Sequence, residues 1–139
     1  MRAVMTVGEL SRRTGVPVKK LREYTDLGLI YTVGRSPSNY RLYTTDALWC
    51  VRWIRRLRAI GLTIAEIRDL TVVYAEPGRP FGPELAERLR ASRERLQTRI
   101  AGLQQTLRSL DAFEAAYSEA LTSEDSTCWA SDPQCAVSA

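Results

Sequence analysis

Histidine is absent from all 139 residues. Its absence removes the ordinary imidazole base and with it any Ser–His or Cys–His nucleophile, and it leaves no imidazole to ligate a metal. Cysteine is scarce: Cys50, Cys128 and Cys135 are three at uneven spacing, which is not a disulfide framework. No apolar run approaches the roughly 20 residues that span a bilayer. The start, "MRAVMTVGEL", lacks the long apolar core of a signal peptide. A cytoplasmic protein without a membrane partner is therefore expected. Lysine is nearly missing as well, since eighteen of the twenty basic residues are arginine. "GRPFG" has no Lys-Ser/Thr after its glycines, so it is a turn and not a phosphate loop. The acids are scattered over helix-surface positions. Together these absences argue against an enzyme, and no catalytic residue is assigned.

What is present is arginine, and it is unevenly placed. Residues 1–75 carry 13 basic against 6 acidic side chains, a net of +7, whereas residues 76–139 carry 7 against 10, a net of −3. Arginine makes bidentate contacts to phosphates and guanine edges. A basic front half joined to a mildly acidic rear half points to an anionic partner at one end, with nucleic acid leading. An apolar fraction of 45% with little proline or glycine argues against a wholly disordered chain.

The patterning predicts an all-α fold with a small β wing. "TVGELSRRTGV" reads as a short helix, capped by Thr6 with Glu9 three residues on and closed by Gly15. "PVKKLREYTDLG" is a second, with Pro17 in its first turn, Leu21 and Tyr24 on its buried stripe, and Gly28 at its end. Two short helices about a glycine turn make a helix-turn-helix candidate. "LIYTV" and "YRLY" are β-prone and flank the turn-rich "GRSPSN", which describes a hairpin. "TTDALWCVRWIRRLRAIG" and "LTIAEIRDLTVVY" are further helices, the second capped by Thr63 with Glu66. "AEPGRPFGPE" breaks the pattern.

From Pro83 to about Leu121, Leu89, Leu96, Leu103, Leu110 and Tyr117 recur every seven residues. Ile100, Leu107 and Leu121 stand four later in their heptads, where Arg93 and Glu114 interrupt the seam. About 38 residues at 1.5 Å each make a rod of roughly 57 Å. A coiled-coil dimer, antiparallel or parallel, buries such a stripe. The alternative is a helix folded back on its own domain. The expected organisation is a winged helix-turn-helix domain over 1–75, a linker over 76–82, a dimerisation helix over 83–121 and a C-terminal segment over 122–139.

With "TVGELSRRTGVPVKKLREYTDLGLI", "NYRLYTTDAL", "LRAIGLTIAEIRDL" and the leucine-patterned helix in this order, residues 5 to about 121 resemble the MerR family of bacterial transcription regulators. The resemblance implies an antiparallel coiled-coil homodimer and a near-palindromic operator between the −35 and −10 promoter elements. It also implies distortion of an overlong spacer so that RNA polymerase engages both elements, which is indirect readout. Val18 and Lys19 then lie where the family enters the major groove. Lys20 and Arg22 are candidates for phosphate or base-edge contact, and Arg12 and Arg13 for backbone. Arg41 after Tyr40 matches the family's "YR" pair, with Arg35 nearby in the wing. Tyr24 matches the second aromatic of the family's "RYYE"-like segment, and the resemblance makes Tyr24 and Tyr40 candidate DNA contacts as well. The first aromatic is Glu23 here and the acid is Thr25, so Glu23 is expected to brace a neighbouring arginine. A different class, a coiled-coil adaptor whose basic head binds protein or RNA, is the rival reading.

The stretch "CWASDPQC" carries the last two cysteines. Metal-sensing members of the family use a cysteine pair in a short C-terminal loop. Two thiolates hold Cu(I), Ag(I) or Au(I) linearly, while Hg(II) or Zn(II) needs further donors. Here "PFGPEL" offers no cysteine at the helix start, and Cys128 lies some ten residues beyond the usual place. Three roles stay open for Cys128 and Cys135: thiophilic metal sensing, thiol–disulfide or electrophile sensing, and none. Trp129 between them can instead wall an organic-ligand pocket. Cys50, among arginines, is either a redox thiol of lowered pKa or a small buried hydrophobe.

Overall fold

A computed structural model describes residues 3–124; Cys128, Trp129 and Cys135 lie outside the described residues. Strand β1 (Met5–Thr6) is followed by α1 (Val7–Thr14), α2 (Val18–Asp26), β2 (Gly34–Arg35), β3 (Arg41–Tyr43), α3 (Thr45–Ala59), α4 (Ile64–Ala75), α5 (Phe81–Ala116) and α6 (Ser118–Thr122). The fold is the expected one, mainly helical with a small sheet. It divides into two compact units, Met1–Arg95 and Leu96–Ala139.

In the first unit, α1 begins at a capping box. The Thr6 hydroxyl accepts from Glu9 N–H at 3.3 Å, and the Glu9 carboxylate accepts from Thr6 N–H at 3.1 Å. Gly15, at φ 73°, closes the helix in the left-handed region, and its N–H reaches Ser11 O at 2.8 Å. A β-carbon is strained at that φ, so glycine sets the turn into α2. The turn is braced from within by Ser11 Oγ donating to Val16 O at 2.7 Å and from α3 by Arg55 donating to Thr14 O. Leu10, Leu21, Ile30, Tyr43, Val51 and Leu62 are fully buried and form the centre of one apolar core.

The sheet departs from the sequence expectation at two places. Its order is β1-β3-β2, all antiparallel, with Met5 opposite Tyr43 and Arg35 opposite Arg41. The first hairpin strand was expected across "LIYTV", yet β2 begins only at Gly34. The reason is that Leu29 and Ile30 are used otherwise: their N–H groups bond Tyr24 O and their side chains enter the core. Met5 and the cap residue Thr6 themselves form β1 and pair with β3, and nothing in so short a stretch announced it.

A second capping box starts α4, with Thr63 and Glu66 exchanging bonds of 3.1 Å. The first turns of α5 pack within this unit. Ser92 Oγ donates to Ile60 O at 2.8 Å, and Arg95 donates to Gly61 O at 2.9 Å and to Glu66 at 2.7 Å. In the second unit, Leu96, Ile100, Leu103, Leu107 and Leu110 are exposed along α5. Phe113 and Tyr117 lie 4.6 Å apart by ring centroids. The regular helix stops at Ala116 and restarts at Ser118, with Tyr117 at φ −113°. The i to i−4 bonds nevertheless continue, from Tyr117 N to Phe113 O and from Leu121 N to Tyr117 O.

Candidate nucleic-acid interface

The basic residues of α1, α2 and the wing are exposed, apart from the half-buried Arg41. Arg12 and Arg13 are exposed in the last turn of α1, and Lys19, Lys20 and Arg22 are exposed on α2, with Val18 half-buried at its start. Lys20 pairs with Glu23 at 3.4 Å, so the acid braces a lysine one turn back and not an arginine. Tyr24 points the other way. It is 7% exposed, belongs to the core, and holds the end of α2 through its carbonyl.

The wing turn is built by its own hydrogen bonds. Asn39, at φ 67°, donates its N–H to Ser36 O at 2.8 Å, and Tyr40 N–H reaches the Ser36 hydroxyl at 3.0 Å. Asparagine tolerates that left-handed conformation better than most side chains, which suits it to this position. Arg35 donates to Asn39 O at 3.1 Å. Because Arg35 and Arg41 are opposite residues of the ladder, their side chains share one face, where like charges repel. Tyr40 at the tip is 60% exposed.

Arg22 from α2 joins Arg35 and Arg41 around a cavity of about 250 Å³, which Asp26, Asn39, Tyr40, Val7 and Tyr43 also line. Three cations meet one carboxylate there. Asp26 holds Arg41 at 3.3 Å, and both side chains are solvent-accessible, so the pair is weakly stabilising. An anion entering between the arginines relieves the Arg35–Arg41 repulsion and offers Arg41 a second charged partner. Asp26 and Asn39 belong to this cavity and were not foreseen. Asp26 follows α2's buried stripe with no pattern of its own, whereas Asn39 in "SPSN" carried a turn signal.

An apolar cavity of about 140 Å³ lies between α3, α4 and the start of α5. Trp49 and Trp53 stack at 6.0 Å, Arg56 sits 5.6 Å above Trp53, and Tyr74 meets Phe81 edge-on at 5.6 Å. Cys50 lines the same cavity. Burial, with Asp46 one turn earlier, pushes its thiol up from the ordinary value. Of the two readings of Cys50, burial beside the apolar cavity agrees with the small hydrophobe and runs against a thiol of lowered pKa, because the neutral form is favoured.

Among the described residues no group of three or more His, Cys, Asp or Glu is placed to hold a metal ion. The described donor set therefore does not fit a metal centre, and Cys128 and Cys135 lie outside it. Among the described residues, no helix is long and apolar enough to cross a membrane.

Known proteins share both the head and the long helix. The "MerR HTH family regulatory protein" family matches residues 5–71, and the "MerR, DNA binding" family matches residues 48–113. The heavy metal-dependent transcription regulator 2 of Rhizobium meliloti is 32% identical over 106 residues, covering 76% of this chain and 71% of that protein. A SoxR homolog of Chromobacterium violaceum, an HTH-type transcriptional activator, is 32% identical, covering 79% of this chain and 74% of its own. Among solved structures, the transcription regulator PbrR691 of Ralstonia metallidurans in complex with lead(II) superposes with a TM-score of 0.69 at 31% identity. That match covers 80% of this chain and 85% of PbrR691. With capped helix-turn-helix, arginine-faced wing and leucine-striped helix all in place, the chain belongs to the MerR family of bacterial transcription regulators.

Proposed function

We propose that this regulator binds promoter DNA as a homodimer, with α2 in the major groove and the wing against the phosphate backbone. The observation that carries the reading is the convergence of Arg22, Arg35 and Arg41 on one open cavity between α2 and the wing. A phosphate is the anion of the right charge and size for that cluster. Lys19 and Lys20 on α2 are exposed toward base edges, Val18 offers apolar contact at the helix start, and Tyr40 extends from the wing tip. Arg12 and Arg13 add backbone contacts from α1. Tyr24 acts indirectly, by fixing α2 from the core side.

The exposed stripe from Leu89 through Leu96, Ile100, Leu103, Leu107 and Leu110 to Leu121, with Tyr117 beside it, is the dimer seam. A two-fold dimer presents two heads and so reads a near-palindromic operator. Placed between the −35 and −10 elements, the dimer bends and untwists the spacer for RNA polymerase, in the cytoplasm. Footprinting the chain's own promoter tests this. Symmetric protection between the two elements is expected; protection elsewhere, or none, refutes it.

For the effector, the reading is a thiophilic metal ion held by Cys128 and Cys135. Its support is the donor chemistry of two thiolates, together with the heavy metal-dependent and lead-bound relatives. Native mass spectrometry with Cu(I), Ag(I), Au(I), Hg(II), Zn(II) or Pb(II) tests it. One ion per subunit is expected in the wild type and none in a Cys128→Ser/Cys135→Ser variant; equal masses after allowing for the substitutions refute it. A second reading, an organic effector, is supported by the 140 Å³ apolar cavity, roughly the size that takes up one aromatic ring. Quenching of the Trp49–Trp53 fluorescence by small aromatic compounds, lost in Trp53→Leu, is its test.

A further inference from the structure

The hydroxyl of Thr25, near the end of α2, lies 2.8 Å from Leu21 O and 2.8 Å from the Tyr43 hydroxyl on β3. A threonine has one hydroxyl proton, and the Leu21 carbonyl can only accept. Thr25 therefore donates to Leu21 O, and Tyr43 O–H donates to Thr25 Oγ1. The bond has a direction, and Tyr43 is fully buried, so Thr25 satisfies a phenol that water does not reach.

Arg41 stands two residues before Tyr43 on β3, so the two side chains leave the same face of the strand. One meets Thr25 and the other meets Asp26, consecutive residues of α2. The Arg41–Asp26 pair is exposed and weakly held. The Thr25–Tyr43 bond is the shielded, directional one. We infer that Thr25 is a positioning residue for DNA recognition: through Tyr43 it sets the wing strand, and with it Arg41, at a fixed place relative to α2. This rests on the reading of α2 and the wing as the DNA face. Without the bond the wing must be ordered as DNA binds, which weakens only binding that needs both elements in register.

The test uses the full chain, a duplex of its own promoter and a scrambled duplex of equal length. Thr25→Val keeps the shape and strands the Tyr43 hydroxyl; it lowers thermal stability and lowers promoter affinity about fivefold, the worth of one hydrogen bond. Binding to the scrambled duplex stays unchanged, because Thr25→Val leaves in place the Arg41 charge that carries sequence-independent binding. Thr25→Ser retains the wild-type ratio of promoter to scrambled affinity. Tyr43→Phe lowers that ratio as Thr25→Val does and carries the same test without touching α2. The double variant Thr25→Val/Tyr43→Phe replaces both partners by apolar groups, so its stability recovers while the ratio stays low. A ratio that recovers along with stability, or a wild-type ratio in Thr25→Val, overturns the inference. Arg41→Ala separates the two levels. If it leaves promoter binding intact, the DNA-face reading itself fails; if it weakens binding while Thr25→Val does not, only the positioning role fails.

Discussion

Arg41 concentrates the account at the scale of single residues. It faces Arg35 across the ladder, its charge partner is the exposed Asp26, and the proposed function gives it a phosphate as a second. Arg41→Ala should weaken binding to all duplexes alike and reduce the slope of log K against log salt by about one unit, measured by fluorescence anisotropy at several salt concentrations. Cys50 is expected to do the opposite of a sensor. In a chain carrying Cys128→Ser and Cys135→Ser, its thiol should react with an aromatic disulfide reagent at neutral pH more slowly than free cysteine, because burial disfavours the thiolate. Fast stoichiometric reaction would contradict that. Arg35 and Arg41 were legible in the sequence because a turn-rich loop with a basic return strand is a local signal. The Thr25–Tyr43 and Arg41–Asp26 contacts were not, since 18 and 15 residues separate the partners and no pattern links them.

Helix starts were the most legible elements. Thr6 with Glu9 and Thr63 with Glu66 form the boxes that their spacing predicted. Thr63→Ala should cost about 1 kcal/mol in urea unfolding. Glu66 adds a pH dependence. Partial burial raises its carboxyl, but hydrogen bonds from Thr63 N–H and hydroxyl and from Arg95 outweigh that and hold it below the ordinary range. A carboxyl lowered in the folded state contributes stability above its unfolded pKa, and that stability is lost as pH falls through the folded value. The stability gap between wild type and Glu66→Gln should therefore be full at pH 7 and close on acidification; a gap constant from pH 7 to 3 would contradict it. The strand over "LIYTV" misled because β-propensity reports a half-buried surface, and Leu29 and Ile30 meet that need by capping α2 and filling the core. Arg95 reaching Gly61 O and Glu66 was likewise invisible, being a contact across 29 to 34 residues.

For the whole molecule, the sequence showed two opposite charge balances and a heptad stripe, and both translate into association. Leu103→Asp with Leu107→Asp places two carboxylates in the apolar seam. Sedimentation should then find a monomer of unchanged helicity, with promoter binding lost; a variant that stays dimeric would contradict the seam. The identity of the effector is not legible in the same way, because two thiols suit a soft metal ion, a disulfide or no ligand at all. As proposed, the protein binds its promoter sequence-selectively through Arg22, Arg35 and Arg41. Titrating the chain's own promoter duplex and a scrambled duplex at two salt concentrations tests it most directly. Markedly tighter promoter binding is expected at both concentrations, with affinity for each duplex falling steeply as salt rises. Equal affinity for the two duplexes, or binding indifferent to salt, would contradict it.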